Sequence, residues 1–372
     1  MVRRKSLADF LGDRVAYRNL IPADPTLPRL ESFWQEIGLD SVRAPRKTTP
    51  NYAAVVYRFL QAAQAQRGQL PLERLLFIGD TLMNDGTAAK NLGAYLPVRC
   101  FIGADRQAAE KKITTDDHLM RANRWQALAD FLAWVQAEGF ALDGRTALLL
   151  DLDKTTHGAR GRNDHAIDQA RINAVRQTVE EVLGETFDEA GFRSAVYDRL
   201  NKPDYHPFTA DNQDYKAYIS LMVAGRVYSP EYFWADLEAG RLTGFKQFIT
   251  LCDARQGQMS HGLLAAHREV VGNMVKGDPT PFKSFRFREY HATVNLIDYL
   301  PEDTLEAGLL ADEIVMTGEV ADLAEALATQ GVLVFGLSDK PDEATLPPPE
   351  SAAGALPLHR VVMKVVGQLE LK

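Results

Sequence analysis

Apolar residues fall along this chain in two rhythms. Short unbroken runs end in polar turns at three places: Leu75-Leu76-Phe77-Ile78 before Gly79-Asp80, Ala147-Leu148-Leu149-Leu150 before Asp151, and Val332-Leu333-Val334-Phe335-Gly336-Leu337 before Ser338. Runs apolar at consecutive positions predict short strands buried on both faces. Pro97 to Gly103 reads as a fourth strand. Elsewhere the period lengthens to that of a helix. A helix is predicted near 51–66, with Thr49 as its cap and Pro50 at the first helical position. Others are predicted at 87–93 (stopped by Gly93), across Trp125, Ala127, Leu128, Phe131, Leu132 and Val135, at 166–183, and at 319–330. Strand–turn–helix units of this kind build open α/β sheets, whose sites lie at the carboxyl ends of the strands. The middle of the chain differs. Tyr215-Ile219-Met222, Tyr232-Phe233 and Phe245-Phe248-Ile249 keep helical spacing, with few β-like runs.

Composition narrows the class. At 372 residues and 46% apolar content the chain can bury a large core and fill two domains. No apolar run reaches the length of a membrane span, and the segment after Met1–Lys5 is not a secretory apolar stretch. Cys100 and Cys252 stand far apart, which suggests a reducing compartment and a cytoplasmic location rather than a disulfide framework. A net charge of −8 argues against a nucleic-acid partner. The eight histidines show no H-x-x-x-H or H-E-x-x-H spacing, so a zinc site is not expected. Pro347–Gly354 reads as a surface loop.

The chemistry concentrates where the apolar runs stop. In Asp151-Leu152-Asp153-Lys154-Thr155 the two aspartates leave the strand end on the same side. Close carboxylates repel one another unless a cation lies between them or one holds a proton. Far upstream, Gly79-Asp80-Thr81-Leu82-Met83-Asn84-Asp85 repeats the theme. The first segment resembles the D-x-D-x-T signature of the haloacid dehalogenase-like superfamily, and the second resembles that family's metal-holding G-D-x-x-x-x-D motif. Lys47, just before the 51–66 helix, resembles its third motif. Ser338, in the helix-Gly-strand-Ser-x-Lys-Pro run, resembles its second motif as phosphoglycolate-phosphatase-like members carry it. Thr317, after Ile314-Val315-Met316, is the rival for that place but reads better as the cap of helix 319–330.

These motifs stand in the wrong order for the family. They fall into family order when the chain is read from 147 to its carboxyl end and then from 1 to about 103. The resemblance therefore implies an α/β fold with a Rossmann-like parallel-sheet core in circularly permuted order. Residues 104–146 would connect the old ends. Residues 1–156 and 309–372 would form the core, and 157–308 a large, mainly α-helical cap inserted after the D-x-D-x-T strand.

The resemblance also implies a reaction: magnesium-dependent hydrolysis of a phosphomonoester of a small phosphorylated metabolite. Asp151 would be the nucleophile that forms an aspartyl-phosphate, and Asp153 the general acid and base. Mg2+ would lie among Asp80, Asp85, Asp151 and the Asp153 backbone carbonyl. Lys47 and Ser338 would hold phosphoryl oxygens. Thr155, Arg160 and Arg162, in the Gly-rich basic loop, are candidate substrate contacts, against the plainer reading of a solvated loop. Lys276, Lys283, Arg286 and Arg288, interleaved with Phe282, Phe285 and Phe287, read first as an element edge with its charges in water. The same fold hosts phosphomutases and non-catalytic binding or regulatory proteins, which stay open as alternatives. Substrate identity and oligomeric state are not legible in the residues.

Overall fold

A computed structural model describes residues 2–106 and 109–370. Ten strands occur in it: β1 (Arg4–Lys5), β2 (Val15–Ala16), β3 (Arg74–Gly79), β4 (Val98–Gly103), β5 (Ile113–Asp116), β6 (Leu119–Ala122), β7 (Thr146–Asp151), β8 (Met316–Thr317), β9 (Leu333–Leu337) and β10 (Met363–Val366). Seven of them form the main sheet in the order β2-β9-β7-β3-β4-β6-β5. Every pairing in it is parallel except β5 with β6. β1, β10 and β8 make a second, three-stranded sheet.

The apolar runs are strands for the reason the sequence suggests. All six residues of β7 are buried, and a parallel strand covered on both faces has no use for polar side chains. One face carries Leu75, Phe77, Ala147, Leu149, Leu333 and Phe335 in a single core with Tyr52, Val55, Val56 and Phe59 of the helix Pro50–Gln66. Phe59 stacks on Phe335 with centroids 6.2 Å apart. Burying each such side chain is worth about 1.5–3 kcal/mol. The helix itself starts where expected: Thr49 Oγ1 accepts from Tyr52 N at 3.3 Å, and Pro50 opens the first turn. Helices at Thr87–Leu92, Leu128–Ala137, Asp164–Leu183 and Gly318–Thr329 also lie close to their predicted spans.

The segment expected to be mere connection holds more than its helix. It contributes the antiparallel hairpin β5–β6, and β6 extends the main sheet beside β4.

The chain divides into two compact units. One comprises Met1–Asp168, Thr293–Leu346 and Ala352–Lys372, and the other Gln169–Ala292 with Pro347–Ser351. In the second unit every regular element among the described residues is helical. The basic run departs from a solvated edge at one residue: Lys276 is exposed and Lys283 and Arg288 are partly exposed, but Arg286 is not. In the helix Lys283–Val294 Arg286 is buried against Asp214 and Glu289, and Phe285, with Phe282 just before the helix, is fully buried. A buried guanidinium is tolerable only with such partners. Among the described residues no helix is long and apolar enough to cross a membrane.

Candidate functional site

Three parallel strands deliver the motif residues to one edge of the sheet. In register, Leu150 of β7 lies beside Ile78 of β3, and Asp151 beside Leu337 of β9. Asp80 and Ser338 follow directly on β3 and β9. The three strands are consecutive in the sheet, in the order β9-β7-β3. One carboxylate oxygen from each of Asp80, Asp85 and Asp151 lies within 4.8 Å of the others, so the trio could hold a metal ion. An all-oxygen, anionic donor set suits a hard divalent cation.

The turn after β3 explains the glycine of its motif. Beyond Asp80 the chain makes one wide π-helical turn, Leu82–Gly86, which brings Asp85 back over the strand end. Asp85 Oδ2 accepts from the backbone N–H of Asp80 (3.1 Å) and Thr81 (2.9 Å) and from Thr81 Oγ1 (3.0 Å). A Cβ at Gly79 would stand 2.4 Å from Asp85 Cβ and 2.7 Å from its Oδ2. Only a residue without a side chain lets that carboxylate lie against the strand.

Lys47 joins two of the three acids. It sits in the turn before the helix Pro50–Gln66, 3% exposed, with Nζ 2.6 Å from Asp85 Oδ1 and 2.5 Å from Asp151 Oδ1. Burial alone would push the ammonium toward neutrality, but Asp151 and Asp85 outweigh it and hold Lys47 well above its usual range. Burial raises Asp151 well above the ordinary carboxylate value; Lys47 opposes this, while Asp85 and Asp80 add to it. For Asp85, burial also works upward, yet Lys47 and the Thr81 amide reverse the balance and lower it. Asp80 is pushed up to about 7, first by burial and then by Asp85, against the pull of Arg160. The carboxylates thus outnumber the cations placed among them.

The two loop arginines separate. Arg160 Nε lies 2.6 Å from Asp80 Oδ2, and its Nη2 contacts the same oxygen, so this side chain stands at the acidic cluster. The Arg162 side chain, 7% exposed, lies instead between Asp105 (2.6 Å) and both oxygens of Glu319 (2.8 and 2.9 Å). Each of its three nitrogens donates to a partner within the fold.

The segment after Asp151 winds tightly around one carbonyl. Leu152 O accepts from Thr156 N (2.9 Å) and His157 N (3.2 Å), while Thr156 Oγ1 donates to Asp151 O at 2.6 Å. Lys154 takes a left-handed conformation, φ +65°, and its ammonium is held by Asp168 at 2.8 Å. Asp153 is partly exposed, with Lys340 Nζ 3.8 Å and His157 Nε2 3.6 Å from its Oδ1. Thr155 is fully buried, and its hydroxyl has no hydrogen-bond partner among the described residues.

The two candidate hydroxyls differ in what they can still donate. Thr317 precedes the helix Gly318–Thr329, but its side chain makes no cap; Oγ1 donates to Thr155 O at 2.6 Å. That proton is spent. Ser338 Oγ accepts from Lys340 N at 3.0 Å, which leaves its own proton for another acceptor.

Sequence reasoning gave no role to two side chains of this neighbourhood, Lys340 and His157. Lys340 was visible in the Ser-x-Lys-Pro run, but nothing in that run signals that its ammonium is buried near Asp153. The chain matches no family model, no curated protein and no solved structure.

Proposed function

We propose that this chain is a magnesium-dependent phosphomonoester hydrolase of the haloacid dehalogenase-like type, circularly permuted, that acts through an aspartyl-phosphate on a small phosphorylated substrate. One observation carries the reading: Lys47 bridges Asp151 and Asp85 beside Asp80, at the carboxyl ends of adjacent parallel strands. These residues come from distant stretches of the chain, and chance acidic turns have no reason to converge with a buried lysine among them. The neighbour relation β9-β7-β3 supports the permuted order. The helical unit occupies, in the sequence, the place of the family's cap, and would set substrate choice.

Asp80, Asp151 and the Asp153 backbone carbonyl would hold the magnesium, with Asp85 as a further ligand or as acceptor for one of its waters. The donor set fits, because it is all oxygen and carries more carboxylate than nearby cations offset. When bound, the ion would neutralise the phosphate and orient it for in-line attack.

The remaining work falls to side chains. Asp151 would form a bond to phosphorus as the bond from phosphorus to the ester oxygen breaks, and the leaving oxygen would take a proton from Asp153. A water oxygen would then attack phosphorus while Asp153 takes its proton. The Asp151–phosphorus bond breaks, which returns the carboxylate and inorganic phosphate. Proton transfer of this kind contributes typically ~10²–10⁴-fold. Lys47 fixes Oδ1 of Asp151, so the other oxygen is the one free to attack. Lys47 and Ser338 would steady the phosphoryl oxygens.

The test is phosphate release from an aryl phosphate and from a panel of phosphorylated metabolites, with magnesium and with chelator. Release that depends on magnesium and disappears in Asp151→Asn is the expected result. Exchange of phosphate between two sugars without release would instead assign a mutase. Release undiminished by exhaustive chelation would remove the reading.

A further inference from the structure

The loop after Asp151 contains a buried polar side chain that the steps above leave unused. His157 is 1% exposed, and neither of its ring nitrogens has a hydrogen-bond partner among the described residues. A neutral imidazole presents one N–H and one lone pair, and burial normally finds partners for both. Nε2 of His157 stands 3.6 Å from Asp153 Oδ1, a few tenths of an ångström beyond hydrogen-bonding range.

The ring belongs to a fixed wall. His157 N donates to Leu152 O at 3.2 Å, the residue bridges to both Asp153 and Met316, and Gly158 N, in a left-handed turn at φ +62°, donates to Val315 O at 2.9 Å. Lys340 approaches the same Asp153 oxygen at 3.8 Å, and its ammonium is anchored on Thr293 Oγ1 at 3.1 Å. Asp153, 20% exposed at its side chain, is the least enclosed of the three, since His157 and Lys340 are each 2% exposed there.

We propose that His157 is the positioning residue for Asp153: its Nε2–H closes onto Oδ1, beside Lys340, and so turns Oδ2 toward the ester oxygen. In the acid form, the carbonyl oxygen of Asp153 rests on the imidazole and its O–H faces the leaving group. In the base form, the same orientation presents Oδ2 to water. The catalytic consequence rests on the hydrolase reading; the contact itself does not.

Leaving-group dependence separates positioning from packing. An alkyl phosphate needs a proton on its departing oxygen, whereas an aryl phosphate with an acidic phenol hardly does. His157→Ala should lower kcat for the alkyl ester by at least ~10-fold and for the aryl ester by less than ~3-fold, with KM little changed. His157→Gln, which returns an N–H near the place of Nε2, should recover most of the loss. His157→Phe, which fills the space without a donor, should not. Equal losses on both esters, no loss on either, or identical behaviour of the Gln and Phe variants would overturn the proposal. The 15N resonances of the imidazole give a reading independent of turnover. In the wild type Nε2 should carry the proton, and its shift should move in Asp153→Ala; a resonance indifferent to Asp153 would overturn the contact. Wild-type protein that hydrolyses no ester would defeat the hydrolase reading, while the resonances would still decide the contact.

Discussion

Alanine at position 79 probes the construction of the site most directly. Its methyl group would stand 2.4 Å from Cβ and 2.5 Å from Cγ of Asp85. Those atoms are next to the backbone rather than at the tip of a flexible chain, so the Leu82–Gly86 turn must move as a body. The displacement strains the three hydrogen bonds to Asp85 Oδ2 and the 2.6 Å contact with Lys47. Hydrogen bonds to a charged group are worth about 1.5–3 kcal/mol each, and overpacking costs about 1–3 kcal/mol. Losing two bonds at the low end, with the smallest overpacking term, comes to about 4 kcal/mol. At roughly 2–4 °C per kcal/mol, the melting transition of the sheet-bearing unit should fall by about 8–16 °C in a calorimetric scan. Gly272, in the helix His261–Val275, supplies the control, because a Cβ there meets nothing within 4 Å. Alanine at 272 should leave the transition in place or raise it slightly. A Gly79→Ala protein melting within about 2 °C of the wild type would refute this account of the glycine.

Further outcomes follow from the same charges. Asp80, raised to about 7, keeps a proton that a divalent cation must displace, so metal affinity measured by calorimetry should tighten by up to ~10-fold per pH unit below about 7 and level off above it. In the metal-free protein the same raised carboxyl contributes stability that is complete below the ordinary carboxylate range and lost as pH rises through about 7; Asp80→Asn should remove that component of the slope. Arg160→Gln takes away the cation resting on Asp80 Oδ2 and should tighten metal binding by about 2–5-fold, whereas weaker binding would show that Arg160 assists the ion. Lys47→Met leaves two buried carboxylates facing each other, and should cost about 3–5 kcal/mol in urea unfolding at neutral pH. Part of that loss should return on acidification, when the carboxylates take up protons.

What the sequence disclosed was local in origin. The strands ending at Gly79, Asp151 and Leu337 were legible because burial on both faces demands unbroken apolar runs, and the start of the helix Pro50–Gln66 was written in Thr49-Pro50. The hairpin Ile113–Asp116 and Leu119–Ala122 escaped notice because the first strand is largely exposed and the Leu-Met-Arg-Ala of the second does not alternate apolar with polar, although Met120 and Ala122 are buried. For the site, Asp80, Asp85, Asp151 and Lys47, which the motifs single out, lie together in the structure. Side chains whose role depends on distant partners stayed hidden. Arg162 looked like a loop arginine until Glu319 closed on it, and Arg286 looked solvated until Asp214 and Glu289 enclosed it. Thr317 looked like a cap because its position is that of a cap, but the Thr155 carbonyl outcompetes the helix for its hydroxyl.

The place of β9 has a consequence for how the protein comes into being. It lies between β2 and β7, inside the sheet, yet it is synthesised after the whole Gln169–Ala292 stretch. On the ribosome, Lys47, Asp80, Asp85 and Asp151 have long emerged while one flank of β7 still offers bare N–H and C=O groups. Such an open apolar edge invites pairing with other chains. The helical stretch, rich in local contacts, can fold meanwhile. Sealing the sheet waits for strand 333–337 to slot in, and Ser338 arrives with it. A chain stalled before strand 333–337 would therefore carry its acidic cluster on an unfinished, adhesive sheet, and competence would come only once that strand and Ser338 have been made.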